Sequence, residues 1–379
     1  MSAPSTLRLP ALNLTFVLEN VVYILGAGFS APAGIPVVRN FLERAHDLYD
    51  SKPEVYGHFE PVFTRIKEMA SVKNYFDIDT ENIEEMLSML EMAEYAGHSD
   101  AKTEFQRFIC DVISAYTPSI RRATEKSDDI RQWAFGGSDI LRGYGRFVAG
   151  VCGLILRRHE GDSYSFSTGG AAANYTIVSL NYDRLLENTV RFFELEGNLS
   201  PDNGFVVLPS AKSEVESKGR CVLAKLHGGV ESGPKGIVPP TWNKGRNDKI
   251  AAAWKHAYSA LSRAHRIRIL GYSLPDNDAH FRYLLRAAAE HSQNLKSVDV
   301  LCVDDAESNV HARYRRFITS RKLNFNPSST ETYLAGLVHH PANLGKSGPF
   351  TFDLEAGHAQ TFARPRRRDG AVLGPNLNP

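Results

Sequence analysis

Short apolar runs that end in glycine or polar residues recur along the chain, and each predicts a buried β-strand. The first run, residues 21–25, ends abruptly at Gly26. Residues after the runs have apolar positions at helical spacing, as in Leu185, Leu186 and Val190, so strands and helices alternate. Strands that are apolar along their whole length are typical of a parallel sheet covered by helices on both faces. The predicted strands are 21–25, 175–180, 221–226, 267–270 and 298–303.

The chain between the first two strands has a different pattern, in which apolar residues recur at helical spacing and no run predicts a strand. Residues 161–173 are rich in Gly, Ser and Ala and predict a loop. We therefore predict an α/β fold, a doubly wound parallel sheet of the Rossmann-like type with a large all-helical insertion module. The predicted divisions are a sheet domain of residues 1–40 and 172–340, a helical module of 41–171, and an extended C-terminal tail of 341–379.

Composition narrows the class of protein. The 379 residues are 42% hydrophobic and 23% charged, which is typical of a globular protein with a sizeable core. A net charge of +1 gives no general electrostatic reason to bind nucleic acid or an anionic membrane, and the four arginines among residues 364–368 are expected in a solvated tail. No apolar run approaches a membrane span, and no secretion signal is evident. Scattered cysteines without a Cys-x-x-Cys pair predict free thiols in the cytoplasm and no metal: Cys110, Cys152, Cys221 and Cys302.

The turn after the first strand is suited to a phosphate. Gly26 and Gly28 allow backbone amides to approach a ligand, a helix start just beyond adds partial positive charge, and Ser30 adds a hydroxyl. Gly34 lies further along than the third glycine of the usual dinucleotide fingerprint. On this stretch alone, a glycine-rich corner without a ligand remains an equal alternative.

Polar or glycine-rich residues follow the other predicted strands too. Ligands of doubly wound sheets bind at the carboxyl ends of the strands. A helix cap, a loop histidine or a turn explains each ending alone, but together they indicate a site. These endings contain Asn181 and Asp183, His227, Gly271 with Tyr272 and Ser273, and Asp304.

The chemistry that suits these endings is attack at a ribose carbon with departure of a pyridine base, through an oxocarbenium-like transition state. The glycine turn would hold a pyrophosphate. Asn181 would orient the ribose hydroxyls and a water, and His227 would act as a base near neutral pKa. Binding energy from the remote phosphates would orient the reacting sugar.

The motifs together resemble the sirtuin superfamily, in the order Gly-Ala-Gly-Phe-Ser, Ala-Gly-Ile-Pro, Asn-x-Asp, His-Gly and Gly-x-Ser. This resemblance implies that NAD+ is bound as a substrate. It implies that Asn181 and Asp183 contact the nicotinamide ribose and base, with His227 as general base. The phosphates or adenosine ribose would meet the Gly-x-Ser turn, and Asp304 would reach that ribose. The cofactor-binding residues implied are Gly26, Ala27, Gly28, Phe29, Ser30, Gly34, Ile35, Arg39, Asp183, Gly271, Tyr272, Ser273 and Asp304.

Two departures from deacetylase sirtuins argue against recognition of an acetyl-lysine peptide. Residues 37–39 are Val-Val-Arg instead of Asp-Phe-Arg, and the four-cysteine zinc module is absent. The chain is more similar to sirtuin-like proteins of bacterial antiphage defence, through Asn-Ile-Glu-Glu at 82–85, Val-Pro-Pro-Thr at 238–241 and Gly-Tyr-Ser-Leu-Pro-x-x-Asp at 271–278.

That likeness implies an NAD+ glycohydrolase, with Asn181 and His227 as the catalytic pair, which depletes NAD in an infected cell. It also implies a homo-oligomer and a separate activating partner, for which a HerA-like ATPase is a family precedent. Two alternatives remain open from the sequence. One is a catalytically silent subunit that binds NAD or ADP-ribose and scaffolds a defence complex, and the other is a deacylase or ADP-ribosyltransferase.

Overall fold

A seven-stranded parallel sheet lies at the centre of this computed structural model, which describes residues 18–98, 101–122, 130–135, 137–160, 163–208, 220–238, 248–305, 309–339 and 349–363. A separate three-stranded antiparallel sheet lies beside it. The strands are β1 (Asn20–Leu25), β2 (Leu154–His159), β3 (Ser163–Thr168), β4 (Asn174–Ser179), β5 (Val206–Leu208), β6 (Val222–Lys225), β7 (Arg266–Leu270), β8 (Ser297–Leu301), β9 (Leu323–Asn326) and β10 (Phe350–Thr351).

The large sheet has the strand order β5-β6-β4-β1-β7-β8-β9, and every neighbouring pair is parallel. The chain moves outward from β1 to β4 on one side and returns to β7 on the other, so the order reverses at β1. This arrangement confirms the predicted doubly wound α/β fold and all five predicted strands. The two edge strands, β5 and β9, were not predicted.

Helices cover the sheet on both sides. Among the described residues, none of these helices is long and apolar enough to cross a membrane. The α-helices of the described residues, including those that do not cover the sheet, are α1 (Ala27–Ser30), α2 (Phe41–Ser51), α3 (Pro53–Tyr56), α4 (Glu60–Ala70), α5 (Ile83–Tyr95), α6 (Lys102–Tyr116), α7 (Ile130–Ala134), α8 (Asp139–Val151), α9 (Leu185–Glu196), α10 (Asp248–Ser262), α11 (Ala279–Glu290), α12 (Val310–Phe317), α13 (Thr330–His339) and α14 (Leu354–Ala363).

Burial explains why residues 21–25 of strand β1 form a continuous apolar run. Successive side chains of a strand point to opposite faces of the sheet. Tyr23 therefore joins the core that contains Phe147 of α8. Ile24 joins the core on the other face, with Ala257 of α10 and Phe281 of α11. Both faces of the strand are buried, which explains the continuous run.

Helices α2, α4, α5 and α6 enclose a third core, which includes the predicted helical positions Ile83 and Met86. Helix α5 begins after Asn82, whose side-chain oxygen accepts hydrogen bonds from the backbone N–H groups of Glu84 and Glu85. This core also takes in Tyr182 from the loop after β4. The helices therefore lie directly against the carboxyl ends of the sheet strands.

The end of the predicted helical module is a correction, because residues 154–159 and 163–168 form the antiparallel pair β2 and β3. The expected loop at 161–173 is therefore wrong over β3. Helix α8 ends at Val151, with Cys152 as its C-cap, and Gly153 then adopts a left-handed φ of 61° that turns the chain into β2. In β3, buried Tyr164 and Phe166 alternate with serines. This alternation of buried and more exposed residues is typical of a strand, but the many serines of the segment led to the prediction of a loop.

The C-terminal segment is a second correction, because part of the predicted extended tail forms the helix α14. Glu355 on this helix accepts two hydrogen bonds from the Arg268 guanidinium of β7, at 2.8 and 2.5 Å. The hydroxyls of Tyr23 and Tyr175 join the same cluster. Helix α14 is thus anchored beneath the sheet. The predicted basic cluster at 364–368, and residues 239–241 of the Val-Pro-Pro-Thr motif, lie outside the described residues.

Candidate active site

A cavity of about 460 Å³ opens at the carboxyl ends of the parallel strands. Residues that follow β1, β4, β6, β7 and β8 line it, together with residues of α5 and α6. This is the place where the strand order reverses, and ligands of doubly wound sheets bind there. Of the predicted site residues, the cavity brings together Gly26, Ala27, Gly28, Ser30, Ile35, Arg39, Asn181, Asp183, His227, Gly271, Tyr272 and Ser273.

The glycines of the first turn are needed where two loops cross. The N–H of Gly28 donates to the carbonyl of Gly271 at 2.9 Å. A Cβ on Gly26 would lie 2.6 Å from the Gly271 oxygen, and a Cβ on Gly28 would lie 2.9 Å from it. Close approach of backbone to backbone therefore accounts for both glycines without a ligand.

Amides of this turn are largely used within the protein. The N–H groups of Gly26, Gly28 and Phe29 donate to carbonyls of Leu270, Gly271 and Gly26 respectively. Helix α1 is only four residues long, so its dipole is small. The three amides on which the predicted phosphate site depended are therefore already hydrogen-bonded, and a phosphate bound at this turn would need other donors.

We expect Gly271→Ala to destabilise the fold by about 2–3 kcal/mol. Gly271 has a left-handed φ of 65°, and an added Cβ would lie 2.2 Å from the backbone nitrogen of Phe29. Urea unfolding measures the loss. Gly170→Ala is the matched control, since Gly170 also has a positive φ but no atom lies within 4 Å of its added Cβ. Equal losses in both variants would contradict the steric part of this argument.

Asn181 connects the end of β4 to the glycine turn. Its buried Nδ2 donates to the Gly26 carbonyl and to Ser30 Oγ, each at 3.0 Å. Both bonds use the amide nitrogen, so the Oδ1 oxygen is available to other partners. The Asp183 carboxylate also lines the cavity, and its Oδ1 accepts from the N–H of Leu185, the first residue of α9, at 2.9 Å.

A buried lysine supports the loops that carry Asn181 and His227. Lys225 Nζ donates to the Asp183 carbonyl at 2.7 Å, to Glu187 at 2.8 Å and to Glu231 at 3.0 Å. Burial alone would lower the pKa of Lys225, but the two glutamates outweigh it and the pKa is raised. The ammonium therefore stays charged and ties the loop after β4 to the loop after β6.

His227 lies in the loop after β6, where it is 3% exposed. Its Nε2 is 3.7 Å from Oδ2 of Asp278, and its ring centroid is 6.0 Å from that of Tyr182. The backbone of the loop is fixed by a 2.9 Å hydrogen bond from the Val238 N–H to the His227 carbonyl. An imidazole in this position can accept a proton from a group bound in the cavity.

Three predicted site residues do not line the cavity. Phe29 is buried in the core against Tyr144 and Phe147, with ring centroids 5.4 and 5.2 Å away. Gly34 closes a turn at a φ of 87°. Asp304 accepts from the backbone N–H groups at the start of α12, at 2.6 and 3.2 Å.

Other lining residues were missed in the sequence analysis. Asp305 lines the cavity next to Asp304 and lies 3.7 Å from the Arg39 guanidinium. Glu84 and Asp278 also line it. Both residues belong to motifs shared with sirtuin-like defence proteins, at 82–85 and 271–278. These motifs were a signal for the two residues, but the sequence analysis did not assign either one to the site.

The described residues of the cavity include neither a metal-binding cluster nor a reactive thiol. Within the described ranges, no three His, Cys, Asp or Glu side chains are grouped as a metal ion would require. Cys302 lines the cavity, but burial raises the pKa of its thiol to about 12, which keeps it protonated and unreactive.

Comparison with known proteins finds a family model that matches part of the chain. Residues 175–325 match the family model described as SIR2-like domain. A search of curated protein sequences returned no match.

Solved structures that match the chain include sirtuins. A structure of Sir2Tm bound to a propionylated peptide is 12% identical, with a TM-score of 0.29 over 83% of this chain and 90% of that chain. Sir2 bound to an acetylated peptide is 12% identical, with a TM-score of 0.34 over 84% and 91%. Sir2 with a p53 peptide and NAD+ is 12% identical, with a TM-score of 0.27 over 84% and 91%. The segment that matches the SIR2-like domain model, residues 175–325, carries Asn181, His227 and the loop after β7.

Proposed function

We propose that this protein hydrolyses NAD+ to nicotinamide and ADP-ribose. The observation that carries the proposal is one cavity lined by Asn181, Asp183 and His227 together with the glycine turn at Gly26 and Gly28. The similarity of residues 175–325 to the SIR2-like domain supports NAD+ as the substrate. An amide, a carboxylate and an imidazole at neighbouring strand ends suit cleavage of a bond to ribose.

The diphosphate would bind at the β1 side of the cavity. The side chain of Arg39, from the loop before α2, provides the one permanent positive charge among the described residues that line it. Ser30 accepts a hydrogen bond from Asn181 through Oγ, so its own proton is free to be donated to a phosphate oxygen. These two side chains would bind the diphosphate in place of the backbone amides of the glycine turn, which donate to carbonyls of the protein.

The nicotinamide ribose would then lie towards Asn181 and His227. The bond between C1′ and the pyridinium nitrogen breaks with its electron pair moving to that nitrogen, so nicotinamide leaves as a neutral base. The remaining sugar develops positive charge. Carboxylates of Glu84, Asp183 and Asp278 line the cavity, and their negative charge stabilises such a transition state.

Water completes the reaction at C1′. Asn181 Oδ1 would orient this water or a ribose hydroxyl, since Nδ2 is held by the Gly26 carbonyl and Ser30. His227 would take the proton that the water loses and pass it to solvent. The balanced reaction consumes NAD+ and water and gives nicotinamide, ADP-ribose and one proton.

The wider role that we propose is NAD depletion in antiphage defence, in the cytoplasm, by a homo-oligomer with a HerA-like ATPase as activating partner. The motifs shared with sirtuin-like defence proteins support this role. Among them, the segment 82–85 contributes Glu84 to the cavity, and the segment 271–278 contributes Tyr272 and Asp278.

Product analysis tests the proposed reaction. The purified chain, alone and with a HerA-like ATPase, is incubated with NAD+, and nicotinamide and ADP-ribose are quantified by chromatography. We expect equal amounts of both products without any acylated peptide. NAD+ consumption that requires an acylated peptide, or binding of NAD+ without turnover under both conditions, would contradict hydrolysis.

A further inference from the structure

A buried carboxylate faces the imidazole of the candidate base. The side chains of His227 and Asp278 are each 3% exposed, and Asp278 Oδ2 lies 3.7 Å from His227 Nε2. An opposite charge at this distance favours the protonated form of an imidazole. Catalytic contacts are commonly longer in a ligand-free site and shorten when substrate binds.

The two oxygens of Asp278 have different partners. Oδ1 caps α11 by accepting from the Phe281 N–H at 3.4 Å. Oδ2, the atom nearer His227, accepts a hydrogen bond from the Tyr272 hydroxyl at 2.9 Å. Asparagine caps a helix as well as aspartate does, so capping alone does not call for a charge here. The charge is better explained by the imidazole.

Other titratable groups line the same cavity as this pair. Glu84 from α5 and Asp183 from the loop after β4 line the same cavity, and Tyr182 and Tyr272 flank it. Burial raises the pKa of both tyrosines well above the ordinary value, so they stay neutral. Arg39 and Asp305 line the cavity as an ion pair. The cavity lining therefore holds more carboxylates than cations. The negative charge of each carboxylate favours a positively charged imidazole.

We propose that Asp278 is a positioning residue that orients His227 and stabilises the imidazolium formed when His227 accepts a proton. This inference rests on the proposed hydrolysis, because only then does His227 accept a proton from the attacking water. The proton moves from water to the imidazole while the new bond forms between the water oxygen and C1′. The negative charge of the Asp278 carboxylate stabilises the imidazolium that forms.

The variant that tests this proposal is Asp278→Asn, which keeps the capping oxygen for α11 and removes the charge. Its amide nitrogen replaces the Oδ2 oxygen, so it would donate to the Tyr272 hydroxyl where the carboxylate accepts from it. We expect kcat to fall by about 10- to 100-fold with little change in KM. Loss of the carboxylate lowers the pKa of His227, so the acid limb of kcat should move to lower pH by about one unit. Asp276→Asn is the matched control, since Asp276 lies in the same loop with its side chain 83% exposed.

A second measurement does not depend on activity. Carbon-13 NMR of histidine-labelled full-length protein follows the His227 signal through a pH titration, with His227→Gln identifying the signal. We expect a lower pKa of His227 in Asp278→Asn than in the wild type and no change in Asp276→Asn. An unchanged His227 pKa would overturn the proposal, even if kcat falls, because Asp278 would then be merely structural.

The two measurements also separate this proposal from the function on which it rests. If the wild type does not release nicotinamide but Asp278→Asn still lowers the His227 pKa, the pairing stands and hydrolysis fails. If the wild type releases nicotinamide and Asp278→Asn matches it in kcat and in the pH profile, hydrolysis stands and the role of Asp278 is overturned.

Discussion

His227→Ala is expected to lower kcat for nicotinamide release by about 10²- to 10⁴-fold, the usual contribution of a general base. KM for NAD+ should change little, because the predicted diphosphate groups, Ser30 and Arg39, belong to the segment between β1 and α2. Initial rates at saturating NAD+ measure the effect. Asn181→Ala should reduce kcat comparably. It removes the oxygen that orients the water and also both bonds that connect β4 to the glycine turn.

The control for this prediction is His98→Ala, because His98 is exposed and lies on the helical module. Its rate should equal that of the wild type. Circular dichroism and the midpoint of thermal unfolding show whether each variant is folded. A folded His227→Ala protein with a rate within twofold of the wild type would remove His227 from the proposed mechanism.

Glu355→Ala is expected to lower the free energy of unfolding by about 3 kcal/mol, the low end for breaking a buried ion pair. The Arg268 side chain is 2% exposed and its charge would lose its partner, whereas the Glu355 side chain is 33% exposed. Arg268→Met should therefore cost less, since water can solvate the glutamate that remains. Urea unfolding at neutral pH measures both variants.

The double variant Arg268→Met with Glu355→Leu gives the sharpest test. Replacing both charges with apolar groups leaves neither one buried alone, so we expect stability within about 1 kcal/mol of the wild type. Glu68→Gln is the matched control in an exposed ion pair with Arg65, where the expected change is below about 0.5 kcal/mol. Losses that simply add in the double variant would contradict a coupled pair.

The same ion pair predicts a dependence on pH. Burial alone would raise the pKa of Glu355, but the hydrogen bonds and charge of Arg268 outweigh it, and the pKa is lowered. A carboxyl whose pKa is lowered in the folded state stabilises the fold above its ordinary value near 4.5 and loses that contribution as the pH falls further. Wild type and Glu355→Ala should therefore converge in stability in acid.

The sheet could be predicted from the sequence where burial on both faces makes a strand apolar. β1 and β4 are of this kind. β5 has only three residues, and β9 (Leu-Asn-Phe-Asn) is largely half-buried at the edge of the sheet, so neither produces a continuous apolar run. The β2–β3 pair was missed for another reason: its alternation is carried by two aromatic residues among serines.

The site could be predicted in part, because the carboxyl ends of parallel strands must converge. Asn181 and His227 come directly after their strands, and the topology alone brings them into one cavity. Asp278 lies eight residues beyond the end of β7, and Glu84 belongs to a helix that is distant along the sequence from every strand of the large sheet. Their contribution depends on how the loop folds and on how the helical module lies against the sheet, and neither follows from local pattern.

Helix α14 has a practical consequence for anyone who shortens the gene. The last strand of the parallel sheet ends at Asn326, so a fragment that ends soon after this residue would still contain every strand of that sheet. Such a fragment would lack Glu355, the counter-ion of the buried Arg268 guanidinium. Of the hydrogen bonds described above for that guanidinium, only the one to the Tyr23 hydroxyl would remain. We expect the fragment to accumulate as insoluble material, so truncation studies of this protein should retain the chain through Ala363.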